Sequence, residues 1–89
     1  MRLAADVHDP GSGRAMQLFS DAAAMVFYTG NFLDGGLAGK GGRAYPQYGG
    51  FCLETQDFPN AVNEPAFPTN VVEAGARYAN TLVYDFYVK

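Results

Sequence analysis

The chain has 89 residues, which is enough for one domain with one small hydrophobic core. Hydrophobic residues make up 48% of it and aromatic residues 15%, which excludes a disordered composition. The net charge is −3 and the six basic residues are scattered, so we expect neither a nucleic-acid interface nor an anionic membrane surface.

The first predicted elements are three β-strands. Residues 3–8 alternate between apolar and polar side chains, and residues 15–19 do so again, as half-buried strands do. The sequence DPGSG at residues 9–13 lies between them and is typical of a tight turn, so the two segments predict a hairpin. Residues 25–29, MVFYT, predict a third strand because β-branched and aromatic residues dominate them.

Two predicted loops follow. Residues 31–42, NFLDGGLAGKGG, are rich in glycine, and we interpret them as a mobile connection. They do not form a phosphate-binding loop, because Gly41 follows the Gly-Lys pair where that motif requires serine or threonine. Residues 58–69 contain three prolines, which supply no backbone donor, and they predict an ordered irregular loop.

The remaining strong strand signals are residues 51–56 and residues 78–88. The second run alternates over eleven residues and predicts a long strand. Its apolar face is predicted to hold Tyr78, Leu82, Tyr84, Phe86 and Val88. No helical period is sustained anywhere, so the sequence predicts an all-β fold of antiparallel strands.

One strand carries a charge at its centre, Glu54. Alternation predicts that Cys52, Glu54 and Gln56 share one face, opposite Phe51 and Leu53. A carboxylate on a strand is usually a solvated surface group. The alternative is a cleft-lining position, where partial burial would raise the pKa of a carboxylate towards that of a general base.

Cysteine and histidine usage gives no metal site. The single Cys52 and the single His8 lie far apart in the sequence, and no zinc spacing is present. A lone cysteine is typical of a reducing compartment, and we predict a cytoplasmic protein without cofactors. Asp6 interrupts the N-terminal segment, so no signal peptide is predicted, and no apolar run reaches the roughly 18–20 residues of a membrane span.

Four strings of the sequence resemble, in order, the C-terminal part of the aldose 1-epimerases, the galactose mutarotase family. They are FYTGNFLDG at residues 27–35, GKGG at 39–42, GGFCLETQDFPNAVNEPAFP at 49–68 and AGARYANTLVYDF at 74–86. The resemblance covers nearly all of residues 1–89 but only about the last quarter of a family member. It implies a single truncated C-terminal segment, an antiparallel β-sandwich fragment of a galactose mutarotase-like supersandwich.

The resemblance also implies a role for Glu54. In that family, the glutamate of this motif removes the proton from the C1 hydroxyl of a hexose, while a histidine protonates the ring oxygen. Ring opening, rotation about C1–C2 and reclosure then interconvert the α and β anomers. Galactose or glucose is the expected sugar, and we expect Gln56, Phe27 and Tyr28 to contact it.

The sequence departs from the family pattern in ways that affect activity. The acid histidine and the other sugar-binding histidine and aspartate of the family lie upstream and are missing, and His8 adjoins a hairpin turn where no catalytic group is expected. Val26 stands where the family commonly has a glutamine. We therefore predict that the chain alone is inactive or weak. The alternative is a small oligomeric carbohydrate-binding or interaction module without catalysis.

The size of the chain predicts self-association. A fragment of a sandwich leaves strand edges and an apolar face uncovered, and soluble monomers rarely expose large apolar patches. We predict a homo-oligomer, most simply a two-fold dimer, with residues 78–88 or 25–29 at the contact.

Overall fold

The computed structural model describes all 89 residues, and its regular structure consists of five β-strands. They are β1 (Arg2–His8), β2 (Arg14–Ser20), β3 (Ala24–Tyr28), β4 (Cys52–Gln56) and β5 (Leu82–Val88). Two single 3-10 turns, Lys40–Gly42 and Ala61–Asn63, lie in the loops. The strands pair antiparallel throughout, which confirms the predicted all-β fold. No helix in the structure has the length and apolar character needed to cross a bilayer.

The first sheet has the strand order β1-β2-β5, and β1 and β2 form the predicted hairpin. Its turn is held by the Asp9 carboxylate, which accepts hydrogen bonds from the Gly11 N–H at 3.1 Å and the Ser12 hydroxyl at 2.6 Å. Gly13 then adopts a φ of +76°, a left-handed conformation that glycine tolerates. The pairing of β1 with β2 shifts once, between Leu3 and Ala5.

The last strand is shorter than predicted. It begins at Leu82, so the predicted start at Tyr78 is wrong. The reason lies in the neighbouring strand: β2 ends at Ser20, which pairs with Leu82, and Asp21 turns the chain away. The Asp21 N–H donates to the Thr81 carbonyl oxygen at 3.3 Å, but the Thr81 N–H donates to the Asp21 carboxylate at 2.9 Å, so the ladder ends there. Residues 78–81 therefore have no strand beside them.

The second sheet contains only β3 and β4. The two strands pair without a register shift from Ala24 opposite Gln56 to Tyr28 opposite Cys52. The strands predicted at residues 25–29 and 51–56 are thus confirmed to within one residue at each end. Both strands are edges, because neither has a second neighbour.

The two sheets face each other across an incompletely filled space. An open cavity of about 380 Å³ is lined by Val7 of β1 together with Phe27 and Leu53 of the second sheet. Two further cavities continue it along the first sheet, and Phe51 borders all three. We call this space the inter-sheet cleft and define it by Val7, Met16, Phe27, Phe51, Leu53 and Phe86. The buried core is correspondingly small, with four buried hydrophobic residues, of which Leu18 is the largest.

The predicted loops contain local order. Within residues 31–42 and the residues after them, Ala38 and Ala44 form an isolated bridge around the Lys40–Gly42 turn. The predicted irregular loop at residues 58–69 is confirmed, apart from its short 3-10 turn. Across that loop, the rings of Phe58 and Phe67 pack with centroids 4.9 Å apart.

Candidate active site

Glu54 lies at the centre of β4, and its side chain projects to the same side as Cys52 and Gln56. The unbroken register confirms this predicted arrangement, with Leu53 on the opposite side. We call the surface made by β3 and β4 on this side the Glu54 face, and its members are Ala24, Val26, Tyr28, Cys52, Glu54 and Gln56.

The Glu54 face points away from the first sheet. Phe27 and Leu53, on the other side of the same strands, line the inter-sheet cleft with Val7, so the Glu54 side is the outer one. Glu54 itself is exposed. The strand therefore buries its apolar residues inward and presents its carboxylate outward, which removes the need for a buried charge pair.

The residues predicted to contact a sugar are divided between the two sides. Tyr28 and Gln56 belong to the Glu54 face and are half-buried there. The Gln56 side-chain amide donates to the carbonyl oxygen of Asp57 at 3.3 Å. Phe27 lies in the cleft, where its ring meets Phe51 edge to face with centroids 6.1 Å apart. Its contact with a sugar stays a prediction.

The position directly across the ladder from Glu54 is occupied by Val26. Opposite residues of an antiparallel pair have Cβ atoms only about 4.5–5.5 Å apart, so this is the nearest cross-strand side chain on the face. Valine has no hydrogen-bond donor. The Glu54 carboxylate is therefore left with two oxygens free for a ligand or for water.

Phe32, which the sequence predicts only as part of the loop at residues 31–42, borders the Glu54 face. Phe32 stacks on Tyr28, with centroids 6.4 Å apart and an interplanar angle of 17°, and is 85% exposed. The Tyr28 hydroxyl oxygen accepts the Phe32 N–H at 3.0 Å, which fixes the loop against the strand. The signal was present in FYTGNF, because Gly30 with a φ of +75° turns the chain back towards β3.

No acid partner for Glu54 is found among the other candidates. His8 pairs with Ala15 in the first sheet. Its neighbour Val7 lines the cleft, so alternation places the side chain of His8 on the outer side of that sheet. The two sheets stand between it and the Glu54 face. No three His, Cys, Asp or Glu side chains come together in a metal-binding group, and Cys52 has a free, exposed thiol.

Comparison with known proteins assigns the chain to one family. A family model described as aldose 1-epimerase matches residues 1–85. The chain belongs to the aldose 1-epimerase family. Among individual relatives, a bovine galactose mutarotase is 48% identical over 87 residues, which cover 98% of this chain and 25% of the bovine one.

Two other aldose 1-epimerase relatives give the same extent of match. A pig galactose mutarotase is 50% identical over 84 residues, which are 94% of this chain and 25% of the relative. An Escherichia coli aldose 1-epimerase is 30% identical over 87 residues, again 25% of its length. The chain thus spans about a quarter of the length of the relatives that it matches.

Proposed function

We propose that this chain is a C-terminal part of an aldose 1-epimerase, and that it supplies the general base for interconverting the α and β anomers of a hexose. Glu54 is the base, and galactose or glucose is the sugar. The observation that carries the proposal is the Glu54 face of a chain in this family. It presents an exposed carboxylate beside the phenol of Tyr28 and the amide of Gln56.

The proposed chemistry needs one proton removed and one delivered. A carboxylate oxygen of Glu54 takes the proton of the C1 hydroxyl, and the electron pair of that O–H bond forms the carbonyl as the C1–O5 bond breaks. An acid on the other side of the sugar protonates O5. Rotation about C1–C2 and the reverse steps close the ring with the other configuration, so no atom is gained or lost.

The chain by itself lacks the second half of this chemistry. Its single histidine, His8, lies on the outer side of the other sheet, away from Glu54. A missing acid removes a factor of roughly 10²–10⁴ in rate. We therefore propose that the isolated chain is inactive or very weak as an epimerase.

Polarimetry tests this proposal directly. Freshly dissolved α-D-glucose and α-D-galactose should mutarotate in the presence of the chain at the rate seen in buffer alone. The Glu54→Gln variant should give the same rate, because the base has no partner to work with. A substantial acceleration by the chain that disappears in Glu54→Gln would contradict the proposal and would show that an acid reaches the sugar.

A second candidate is a small oligomeric carbohydrate-binding or interaction module without catalysis. Val26 favours this candidate. It lies directly opposite Glu54 and has no group that could donate or accept a proton, so Glu54 has no catalytic partner across the ladder. NMR titration with galactose separates binding from no binding. Selective shifts at Tyr28, Glu54 and Gln56, reduced in Glu54→Gln and kept in Glu64→Gln, indicate a sugar site; their absence indicates an interaction module.

We further propose that the isolated chain is a homo-oligomer in the cytoplasm. The support for self-association is the exposed apolar face of β5, where Phe86 is 72% exposed. The support for a reducing compartment is Cys52, an exposed thiol without a partner in the chain.

A further inference from the structure

The Glu54 face is an open surface without enclosing walls. The cavities of the molecule lie along the inter-sheet cleft and beside the N-terminal end of β1, and none of them is lined by Glu54, Tyr28 or Phe32. Small-molecule sites usually enclose most of the surface of their ligand. A ligand on this open face therefore needs one broad apolar contact in addition to its hydrogen bonds.

Phe32 offers a broad apolar contact at the border of this face. Its ring is 85% exposed and stacks on the Tyr28 ring at an interplanar angle of 17°. Unlike the exposed rings of Phe27, Phe51 and Phe86, it does not line the inter-sheet cleft. A phenylalanine ring left in water forgoes the stabilisation that burial would give. The Phe32 ring is thus outside both the core and the cleft, on the side where Glu54 projects.

Hydrogen bonds hold the backbone that carries this ring. The Phe32 N–H donates to the Tyr28 hydroxyl oxygen at 3.0 Å. The preceding residue, Asn31, accepts the Gln47 side-chain amide at its backbone carbonyl at 3.0 Å and the Tyr48 hydroxyl at its side-chain oxygen at 2.8 Å. Binding costs less when the contacting group is already fixed. The ring is therefore exposed and also pre-organised.

The groups beside the ring suit a ligand with several hydroxyls. The Tyr28 hydroxyl uses its oxygen to accept the Phe32 N–H, so its proton remains available to a ligand. Glu54, which only accepts when ionised, pairs with Val26 and is a diagonal neighbour of Tyr28, about 7–8 Å away between Cα atoms. An acceptor, a donor and an aromatic ring therefore follow one another along this side of the strands.

We propose that Phe32 is a sugar-contacting residue, whose ring packs against the C–H face of a hexopyranose that Tyr28 and Glu54 hold by its hydroxyls. The inference rests on the proposed function for the class of ligand. The π face of an aromatic ring carries partial negative charge and attracts the hydrogens of C–H groups. A sugar ring offers such C–H groups on a face and hydroxyls at its rim, which matches the order of groups on the Glu54 face.

The stereochemistry at C4 makes Phe32 a residue that distinguishes two sugars. The axial O4 of D-galactose leaves the C–H groups of C3, C4 and C5 together on the opposite face of the ring. In D-glucose, O4 is equatorial and the C4 hydrogen points to the other face. We therefore expect Phe32 to make a larger contact with galactose than with glucose.

Proton NMR of the sugar tests the inference, because an aromatic ring shifts protons above its face upfield. D-Galactose and D-glucose at anomeric equilibrium are each titrated with the chain. The H3, H4 and H5 signals of galactose should move upfield, and galactose should bind roughly two- to tenfold more tightly than glucose. Absence of galactose binding, or binding without these upfield shifts, would overturn the inference.

Three substitutions assign the contact to one ring. Phe32→Leu keeps an apolar side chain but removes the ring, and it should abolish the upfield shifts, weaken galactose binding by roughly two- to tenfold and remove the preference over glucose. Phe32→Tyr should retain all three. Phe86→Leu is the matched control, because Phe86 is 72% exposed but borders the cleft. Upfield shifts that persist in Phe32→Leu, or that Phe86→Leu reduces equally, would contradict the assignment.

A second signal separates this inference from the proposed role of Glu54. The carboxyl carbon of Glu54, followed by ¹³C NMR, reports contact of the sugar with the proposed base. A galactose-dependent shift of that carbon without upfield shifts of H3, H4 and H5 counts against Phe32 and leaves the proposed base in place. Upfield shifts that require Phe32, with an unmoved Glu54 carbon, support the ring contact and count against Glu54 as the base.

Discussion

Glu54 and Leu53 are neighbours in the sequence, but β4 places them in different environments. Leu53 lines the inter-sheet cleft, while Glu54 projects outward beside Tyr28 and Gln56. The same alternation separates Phe27 from Tyr28, so one ring packs inside and the other borders the carboxylate. The Glu54 carboxylate is thus held on the outer side of two strands that Phe27 and Leu53 anchor to the cleft.

A second polar cluster, on the first sheet, makes a pH-dependent prediction. Partial burial raises the pKa of Tyr87 above its ordinary value, and the Asp6 and Asp85 carboxylates raise it further. The Tyr87 hydroxyl donates to Asp6 Oδ1 at 3.3 Å. Because the folded pKa is raised, this contribution to stability is complete below about pH 10 and is lost as pH rises through the folded value.

Replacing the partner carboxylate tests that cluster. In Asp6→Asn, the pKa of Tyr87 should fall towards the ordinary tyrosine value, since a charge and a charged acceptor are removed while partial burial remains. NMR titration of the ring carbons of labelled tyrosine resolves Tyr87 from the other five. Glu73→Gln, in the loop before β5, is the control. An unchanged Tyr87 pKa in Asp6→Asn would show that the carboxylate has no part in the shift.

At the scale of elements, the connection between β3 and β4 depends on one glycine. Gly30 is buried with a φ of +75°, and its carbonyl oxygen accepts the N–H groups of Leu33 at 3.2 Å and Tyr48 at 3.1 Å. A Cβ at this position would lie 2.8 Å from the carbonyl oxygen of Gly50. Gly30 therefore connects the end of β3 and the loop that carries Phe32 to the residues just before β4.

We predict that Gly30→Ala lowers the free energy of unfolding by at least roughly 1–2 kcal/mol, the cost of a left-handed conformation, with the close contact adding to it. Urea denaturation measures the loss. Gly50→Ala is a matched control in the same region, because an added Cβ there meets nothing within 4 Å and its φ is not positive. Equal stability of the two variants would contradict this account of Gly30.

Strand positions were largely predictable because alternation is a local property of the sequence. The two sides of β4 and the hairpin of β1 and β2 follow from it directly. The start of β5 does not, because the prediction extended the apolar face back to Tyr78 across the polar Asn80, whereas the neighbouring strand has already ended at Ser20. Strand ends depend on the partner, and here the Thr81 N–H donates to the Asp21 carboxylate instead of to a backbone carbonyl, while the Asp21 N–H makes the last backbone bond to Thr81.

The candidate site was predictable in its centre but not at its border. Glu54 and Gln56 were found because a specific motif and period-two alternation both select them. Phe32 was not, since its position depends on the turn at Gly30 and on a backbone hydrogen bond to Tyr28, which no periodic pattern records. Tertiary contacts made by loops are the part of the site that local sequence patterns do not determine.

At the scale of the whole molecule, the chain is more extended than a domain of its length. Its radius of gyration is 16.8 Å, whereas about 12 Å is typical of a compact domain with 89 residues. The two small sheets leave a cleft that they do not fill, and the segments between β3 and β4 and between β4 and β5 are largely exposed. Burial of the apolar surface left exposed is therefore the main missing contribution to stability, since burial of apolar surface is the dominant favourable term in folding.

We predict that the chain alone forms a homo-oligomer, most simply a two-fold dimer, at micromolar concentration. The apolar face of β5 supplies the contact, because Tyr84 and Phe86 stack 6.1 Å apart and are both exposed, so a two-fold axis lets each copy cover the other. Sedimentation or light scattering should give a multiple of 9.6 kDa. Phe86→Asp should shift the mass towards one chain, whereas Phe32→Asp, at a ring that is more exposed but lies outside β5, should not. A mass of one chain for the unmodified protein across the whole concentration range would contradict the prediction.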